Sequence, residues 1–402
     1  MKNISKVVAA TIFGLVTTLA AAEGTTPKLA TEQTIGHIEP VFEFYDAMPT
    51  GVTKARNGRL FVNFPRWGDD VPFTVGEIIG DRVVPYPDAQ INRADPAHPA
   101  DSLISVQSVV ADPKNRLWIL DTASPDFAPP IQGGAKLVAV DLATNKVVKT
   151  VLFPPNVLLP TTYLNDVRFD FRFGDQGIAY VTDSSSSGPG GIIVVDLASG
   201  EAWRELSGDP STSPDPAFIA IVEGEEMATD GPDGKRVPLH DSVDGITLSA
   251  DGATLYYSPL SSRHLYSVPT ALLRDRNASP AAVSAAVQDL GEKGASDGLE
   301  VDASGAVYAG DYEHDSIRRR LPDGDWQTIA HDPRILWPDT LSVGNDGYLY
   351  FTANQVERRA SYHHGHDLRQ KPYTLFRIRI DAGPATLVGT SASDRYSPFS
   401  SK

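Results

Sequence analysis

The sequence has no cysteine among its 402 residues. Disulfides, thiolate nucleophiles and zinc–thiolate sites are therefore excluded. Basic residues are also in the minority, because 35 lysines and arginines stand against 51 aspartates and glutamates, a formal net charge of −16. Nucleic acids and anionic membrane surfaces both attract clustered lysine and arginine. We therefore expect neither nucleic acid nor membrane as a partner.

Familiar catalytic motifs are missing too. Ser-x-x-Lys, His-Glu-x-x-His and Gly-x-Gly-x-x-Gly do not occur, and the Gly-x-Ser-x-Gly at residues 294–298 leads into a predicted strand rather than the helix that follows a nucleophile elbow. Hydrolases that use a serine triad and enzymes that bind dinucleotides are therefore unsupported. Any chemistry would have to rest on carboxylates or on a metal ion.

A long apolar run occurs only at the N-terminus. Lys2 and Lys6 precede an uncharged, mostly apolar stretch, residues 7–22, which ends in three alanines. The stretch is short for a membrane-spanning helix and no basic flank follows it. It therefore predicts a signal peptide over residues 1–22. We expect residues 23–402 to be secreted, periplasmic or extracellular, without membrane contact after cleavage.

Six segments share one pattern: a strand, a short turn of Asp, Asn and Gly, and a second strand. They are residues 50–62, 107–121, 165–183, 244–257, 297–311 and 339–351. Further strands follow them, at residues 136–141 with 146–152, 191–196 with 201–206, 264–269, 316–321 with 326–330, and 374–380 with 386–389. Four strands repeated six times predict an all-β fold, a six-bladed β-propeller in one domain. A β-sandwich is the alternative, but it does not require six matched hairpins.

The starts of the inner strands are rich in oxygen ligands. In a propeller the first strand of each blade lines the central channel, so these starts form a ring around the axis. The ring is Thr50, Gln107, Asn165, Asp244, Asp297 and Asp339. Carboxylates brought this close repel one another unless a cation, a proton or a basic partner intervenes. Calcium, magnesium and manganese prefer such hard oxygen ligands.

The composition of this ring predicts metal-binding and catalytic roles for its side chains. We expect Asn165, Asp244, Asp297 and Asp339 to hold one divalent cation (calcium, magnesium or manganese), with Asp297, and after it Asp244, as the catalytic carboxylates. The ligand pocket around a small-molecule substrate is expected to include Gln107, Asp121, Asp183 and Phe218. Two alternatives stay open: an acidic channel filled with solvent, and side chains that only cap turns.

Two loop features complete the pattern. The connection over residues 207–243 is far longer than usual, and its apolar centre, residues 216–222, predicts that it packs over the acidic face through Phe218 and Met227. The alternative is that it covers an outer strand edge.

His363, His364 and His366 stand among arginines, which favours a solvated loop over a zinc site.

Several segments resemble the major royal jelly and insect yellow proteins. They are residues 61–67 (Phe-Val-Asn-Phe-Pro-Arg-Trp), 117–122, 163–166, 179–184, 244–246, 255–262 and 265–270. The resemblance runs in order from about residue 40 to residue 380. It implies a secreted six-bladed propeller. Members are pigmentation factors, nutritive proteins and amine-binding salivary proteins, and dopachrome conversion is ascribed to some.

A more remote resemblance is to gluconolactonases, which hold an axial divalent cation with a Glu, two Asn and an Asp. Asn165, Asp244 and Asp297 resemble three of those positions, but Asp244 replaces an Asn, and Thr50 and Gly51 stand where the glutamate would be. Two function hypotheses follow, beside the alternative of a purely structural secreted propeller. One is metal-assisted, lactonase-like hydrolysis or isomerisation of a small metabolite. The other is a non-enzymatic binder of a small cationic or aromatic ligand such as a biogenic amine.

Overall fold

The structure, a computed structural model, describes residues 33–389, and the predicted signal peptide lies outside them. The first strands in chain order are β1 (Ile38–Phe44), β2 (Val52–Lys54), β3 (Leu60–Asn63), β4 (Val75–Ile79), β5 (Arg82–Pro85), β6 (Val106–Ala111), β7 (Arg116–Asp121), β8 (Lys136–Asp141), β9 (Lys146–Leu152), β10 (Leu164–Asp170), β11 (Ile178–Asp183), β12 (Gly191–Asp196) and β13 (Ala202–Glu205). Two short hairpins follow, β14 (Ile221–Val222) with β15 (Glu225–Glu226) and β16 (Ala228–Asp230) with β17 (Arg236–Pro238).

The second half of the chain continues the repeat. Its strands are β18 (Val243–Leu248), β19 (Thr254–Pro259), β20 (His264–Pro269), β21 (Gln288–Glu292), β22 (Leu299–Val301), β23 (Val307–Asp311), β24 (Ser316–Arg320), β25 (Trp326–His331), β26 (Pro338–Val343), β27 (Tyr348–Ala353) and β28 (Tyr373–Arg379). Helices α1 (Thr270–Arg274) and α2 (Pro280–Ala285) lie between β20 and β21, and 3-10 turns occur at Pro125–Phe127, Pro210–Thr212 and Val356–Arg358. No helix between residues 33 and 389 is long and apolar enough to cross a membrane.

The main strands form six antiparallel sheets of four strands each. The sheets are β2–β5, β6–β9, β10–β13, β18–β21, β22–β25, and β26–β27–β28 with β1 at its edge. The prediction of a six-bladed β-propeller is confirmed. The middle strands are buried on both sides, as in β11, all of whose residues are buried. Apolar side chains fill the space between blades; Trp118, for example, stacks on Phe169 of the next blade with 4.9 Å between centroids.

The sixth blade differs from the prediction. Residues 386–389 do not form its outer strand; β1 does, and its register runs from Ile38 opposite Ile378 to Phe44 opposite Tyr373. Strands from the two ends of the chain thus share one sheet, so the ring of blades is closed by backbone hydrogen bonds. The segment after β28 instead forms single bridges, from Pro384 to Asp302 and from Val388 to Phe171.

Four inner strands are irregular where the ring residues stand. The register shifts between Val106 and Ser108, between Leu164 and Val167, between Val243 and Gly245, and between Pro338 and Leu341. A β-bulge takes a residue out of the regular alternation of side chains and re-aims it. Gln107, Asn165, Asp244 and Asp339 are the residues at these bulges.

Candidate functional site

A cavity of about 840 Å³ lies over the starts of the inner strands. Four residues of the predicted ring line it: Gln107, Asn165, Asp244 and Asp297. Loops supply aromatic walls, and these side chains are Trp67, Phe127, Tyr163, Trp337 and Tyr362. The cavity therefore combines an acidic floor with walls able to hold an aromatic or cationic ligand.

A chain of hydrogen bonds runs from one wall to the floor. Trp67 donates its indole Nε1 proton to the Tyr163 hydroxyl at 2.7 Å, and that hydroxyl donates to Gln107 Oε1 at 3.0 Å. Gln107 Nε2 lies 3.5 Å from Asn165 Oδ1. Asn165 Nδ2 then donates to Asp244 Oδ2 at 2.6 Å. Residues from four successive blades are thereby fixed relative to one another.

Two of the floor carboxyls are joined by a hydrogen bond. Asp244 donates to Asp297, which also accepts from Trp337 Nε1 at 2.8 Å. Burial, and then the charge of Asp297, hold the pKa of Asp244 well above its usual range. Burial also raises the pKa of Asp297 to about 6, although its hydrogen bonds with Trp337 and Asp244 oppose the rise. Asp244 therefore holds the proton and Asp297 is the first of the two to ionise.

A third carboxyl, which the sequence pattern did not single out, lies beside them. Asp241 lines the cavity from the end of the long connection before blade four. Burial, and then the charge of Asp297, raise its pKa to about 7. The nearby Lys293 is fully buried, its ammonium donates to the Gly294 carbonyl, and burial lowers its pKa to about 7. Within residues 33–389, Asp241, Asp244 and Asp297 form no salt bridge.

Asp339 is turned to other partners. It accepts from Asn354 Nδ2 at 2.7 Å and lies 3.2 Å from Thr340 Oγ1, and it is not among the residues that line the cavity. In the described part of the chain, no three His, Asp or Glu side chains are grouped as metal ligands would be. That Asn165, Asp244, Asp297 and Asp339 hold a divalent cation stays a prediction, which metal titration would test.

Asp121 and Asp183, predicted to lie in the pocket, are structural instead. Asp121 is fully buried, accepts from the backbone of Ile104 at 2.7 Å, and pairs with Lys136 Nζ at 2.8 Å. Asp183 accepts from the backbone of Tyr163 at 2.9 Å and pairs with Arg204. Each carboxylate stands at the end of a second strand and fastens the loop that leads into the inner strand. They hold the cavity walls in place without lining the cavity.

The long connection does reach the cavity, as predicted, but through other residues. Thr229 and residues 237–241 line it. Phe218 and Met227 are instead buried in an apolar cluster that also contains Trp337. Phe218 lies under the guanidinium of Arg263, 4.8 Å from the ring centroid. The apolar centre of the connection anchors it to the propeller, and the hairpin of β16 and β17, with the residues that follow it, borders the cavity.

The histidine-rich segment is a loop that fastens this connection. His364 Nδ1 lies 3.0 Å from Asp230, and Arg358 Nε donates to Glu223 at 2.7 Å. Arg236 also donates to the backbone carbonyl of Tyr362 at 2.8 Å. The loop of blade six and the connection before blade four therefore form one continuous rim.

The residues missed by sequence reasoning are the aromatic walls, Arg359 and Asp241. They stand in loops, where no strand periodicity marks them. Trp67 could have been identified from the sequence, because it ends the Phe-Pro-Arg-Trp segment by which the chain resembles a known family.

Comparisons with known proteins agree with that resemblance. The sequence profile described as "Major royal jelly protein" matches residues 104–382, more than half of the chain. The proteins named "Protein yellow" of Drosophila erecta and Drosophila melanogaster are each 30% identical over 251 residues, which cover 57% of this chain and 42% of theirs. The chain thus matches less than half the length of these relatives.

Solved structures share the fold. A protein assigned as a gluconolactonase has a TM-score of 0.52 at 11% identity and covers 87% of this chain and 95% of its own. A luciferin-regenerating enzyme has the same TM-score and identity and covers 88% of this chain and 99% of its own. At such identity the likeness concerns the fold alone.

Proposed function

The chain belongs to the major royal jelly protein family, and from that premise we propose that its axial cavity binds a small organic cation that carries an aromatic ring. One observation supports this most: Asp241, Asp244 and Asp297 line an aromatic cavity and have no salt bridge in the described part of the chain. Burial raises the pKa of each of these groups, so the protein itself stabilises their charged forms poorly. A bound cation would supply the missing charge.

The walls suit such a ligand. Trp337 and Tyr362 line the cavity together with the carboxyls, so an ammonium group there would meet both carboxylate oxygens and ring faces. Because binding requires ionised carboxyls, affinity should rise as the pH increases from about 5 to about 8. This range brackets the pKa values of about 6 for Asp297 and about 7 for Asp241.

Calorimetric titration with tyramine, and with uncharged p-cresol as the matched ring, tests the proposal. We expect tyramine to bind at least tenfold tighter than p-cresol at pH 8. The double variant Asp241→Asn, Asp297→Asn should remove this preference, because these two carboxyls have pKa values below pH 8. Asp233→Asn, an exposed carboxylate in the same connection that pairs with Lys235, is the control and should leave it unchanged.

Equal binding of the two ligands would refute the proposal. Calcium and magnesium are the second arm of the experiment. A rise in the melting temperature with either ion that is abolished by Asp297→Asn would favour the metal-assisted alternative.

A second candidate function, proton transfer, is favoured by the Asp244–Asp297 pair. One member carries a proton and the other is ionised near neutral pH, which is the arrangement an isomerisation needs. Asp297 would take a proton from a carbon of the substrate, and Asp244 would deliver its own to an oxygen, so no other reactant is consumed. The decay of L-dopachrome absorbance, with and without protein and with Asp297→Asn, measures it. An unchanged decay rate would contradict this candidate.

A further inference from the structure

The aromatic wall of the cavity carries a positive charge of its own. Arg359 lines the cavity, and its guanidinium carbon lies 5.1 Å from the ring centroid of Trp67 and 5.9 Å from that of Phe127. Trp67 and Phe127 are themselves stacked at 5.0 Å. The guanidinium is thus held on the wall by two rings.

Little of its hydrogen-bonding capacity is used. A guanidinium has five N–H donors. In the described part of the chain, Arg359 spends one nitrogen, Nη2, on the carbonyl of Trp67 at 2.9 Å. It forms no salt bridge there. The charge of Arg359 contributes to the lowered pKa of Asp367, but that carboxylate already forms a salt bridge with Arg369 at 2.7 Å.

The acidic floor does not neutralise this charge either. Burial is the largest cause of the raised pKa values of Asp241, Asp244 and Asp297, and Arg359 is not among the groups that chiefly lower them. The charge of Arg359 instead opposes the rise in the pKa of three tyrosine hydroxyls, those of Tyr163, Tyr362 and Tyr373. The cavity therefore has two poles, an acidic floor and a basic patch on its wall.

We propose that Arg359 forms an anion subsite, and that the ligand is amphoteric: an aromatic molecule with an ammonium group for the floor and a carboxylate for Arg359. The inference rests on the proposed function. A cation stacked on Trp67 or Phe127 would be repelled by the guanidinium already there, so the ammonium belongs at the floor. The ring then lies between the two poles, against the aromatic walls. An aromatic α-amino acid has this distribution of charge, whereas the corresponding amine lacks the anionic half.

Three probes that share one ring separate the contributions: tyrosine, tyramine and 3-(4-hydroxyphenyl)propionate. By calorimetry at pH 8 we expect tyrosine to bind about tenfold tighter than either singly charged probe, since a hydrogen bond between charged groups contributes on that scale. Arg359→Gln should reduce tyrosine affinity to that of tyramine and leave tyramine affinity unchanged or higher.

A matched control is available. Arg276 also lies over an indole, that of Trp203 at 4.6 Å, on the outside of the propeller. Arg276→Gln should leave the binding of all three probes unchanged.

The outcomes are distinguishable. If tyramine binds as tightly as tyrosine, or if Arg359→Gln lowers both affinities equally, the anion subsite is refuted while the cation site stands. If neither tyramine nor tyrosine binds, the proposed function itself fails and the subsite fails with it.

Discussion

Trp337 donates its indole Nε1 proton to Asp297 Oδ2 at 2.8 Å from a left-handed backbone, with φ of 53°. A left-handed conformation costs a bulky residue roughly 1–2 kcal/mol. The side chain is almost fully buried and stacks on Tyr312 with 4.1 Å between ring centroids. Packing therefore holds Trp337 in a strained conformation in which its indole N–H reaches Asp297, the member of the Asp244–Asp297 pair that ionises first.

Removal of this donor should raise the pKa of Asp297 above about 6. Trp337→Phe keeps a ring against Tyr312 but loses the hydrogen bond to the ionised form, so the neutral form gains. Carboxyl carbon NMR shifts against pH measure the change. Trp326→Phe is the control, because the Trp326 Nε1 has no hydrogen-bond partner in the described part of the chain. An unmoved pKa in Trp337→Phe would contradict the assignment of the donor.

The floor carboxyls should make the free protein less stable as the pH rises. Their folded pKa values lie above the ordinary value, so the folded state holds more protons than the unfolded state. The free energy of unfolding therefore falls as the pH increases from about 4 through about 7, and it stays low above that.

Asp244→Asn should weaken this trend, because an amide cannot ionise. We expect the variant to melt above the natural protein at pH 8, by about 2–4 °C for each kcal/mol relieved, and to converge with it at pH 5. Scanning calorimetry at several pH values measures this. A variant that melts lower at pH 8 would show that the carboxyl stabilises the fold.

Substitution of Asp121, unlike that of Asp244, should lower the free energy of unfolding. Asp121→Asn leaves the ammonium of Lys136, which is fully buried, without its countercharge, and we expect a loss of about 3–5 kcal/mol of unfolding free energy. The exposed pair of Lys235 and Asp233 is the control, and Asp233→Asn should cost less than about 1 kcal/mol. Denaturant titration compares them. Similar losses would show that burial of the first pair is unimportant.

Closure of the ring through β1 should contribute measurably to stability. Ile38, opposite Ile378, is buried, and Ile38→Ala should cost about 2–5 kcal/mol. Ile35, three residues earlier, is 46% exposed, so Ile35→Ala should change the unfolding free energy by less than about 0.5 kcal/mol. Equal effects would mean that β1 is not part of the cooperative fold.

The sequence by itself determined the repeat and the ring. Strand alternation and Asp/Asn/Gly turns are local signals, so six matched hairpins predict six blades. Since each inner strand starts at the same face, Gln107, Asn165, Asp244 and Asp297 could be placed together without coordinates. The β-bulges at several ring positions were not predictable, because a register shift depends on the partner strand.

Tertiary structure decided what surrounds the ring. Asp339 faces Asn354, although Asp244 and Asp297, which stand at the equivalent positions of other inner strands, line the cavity. Which way such a side chain points depends on the nearest buried donor, and this differs from blade to blade. Arg359 and Trp67 are 292 residues apart yet share a hydrogen bond. Such contacts between loops leave no periodic trace in the chain, because they arise only once the ring has closed.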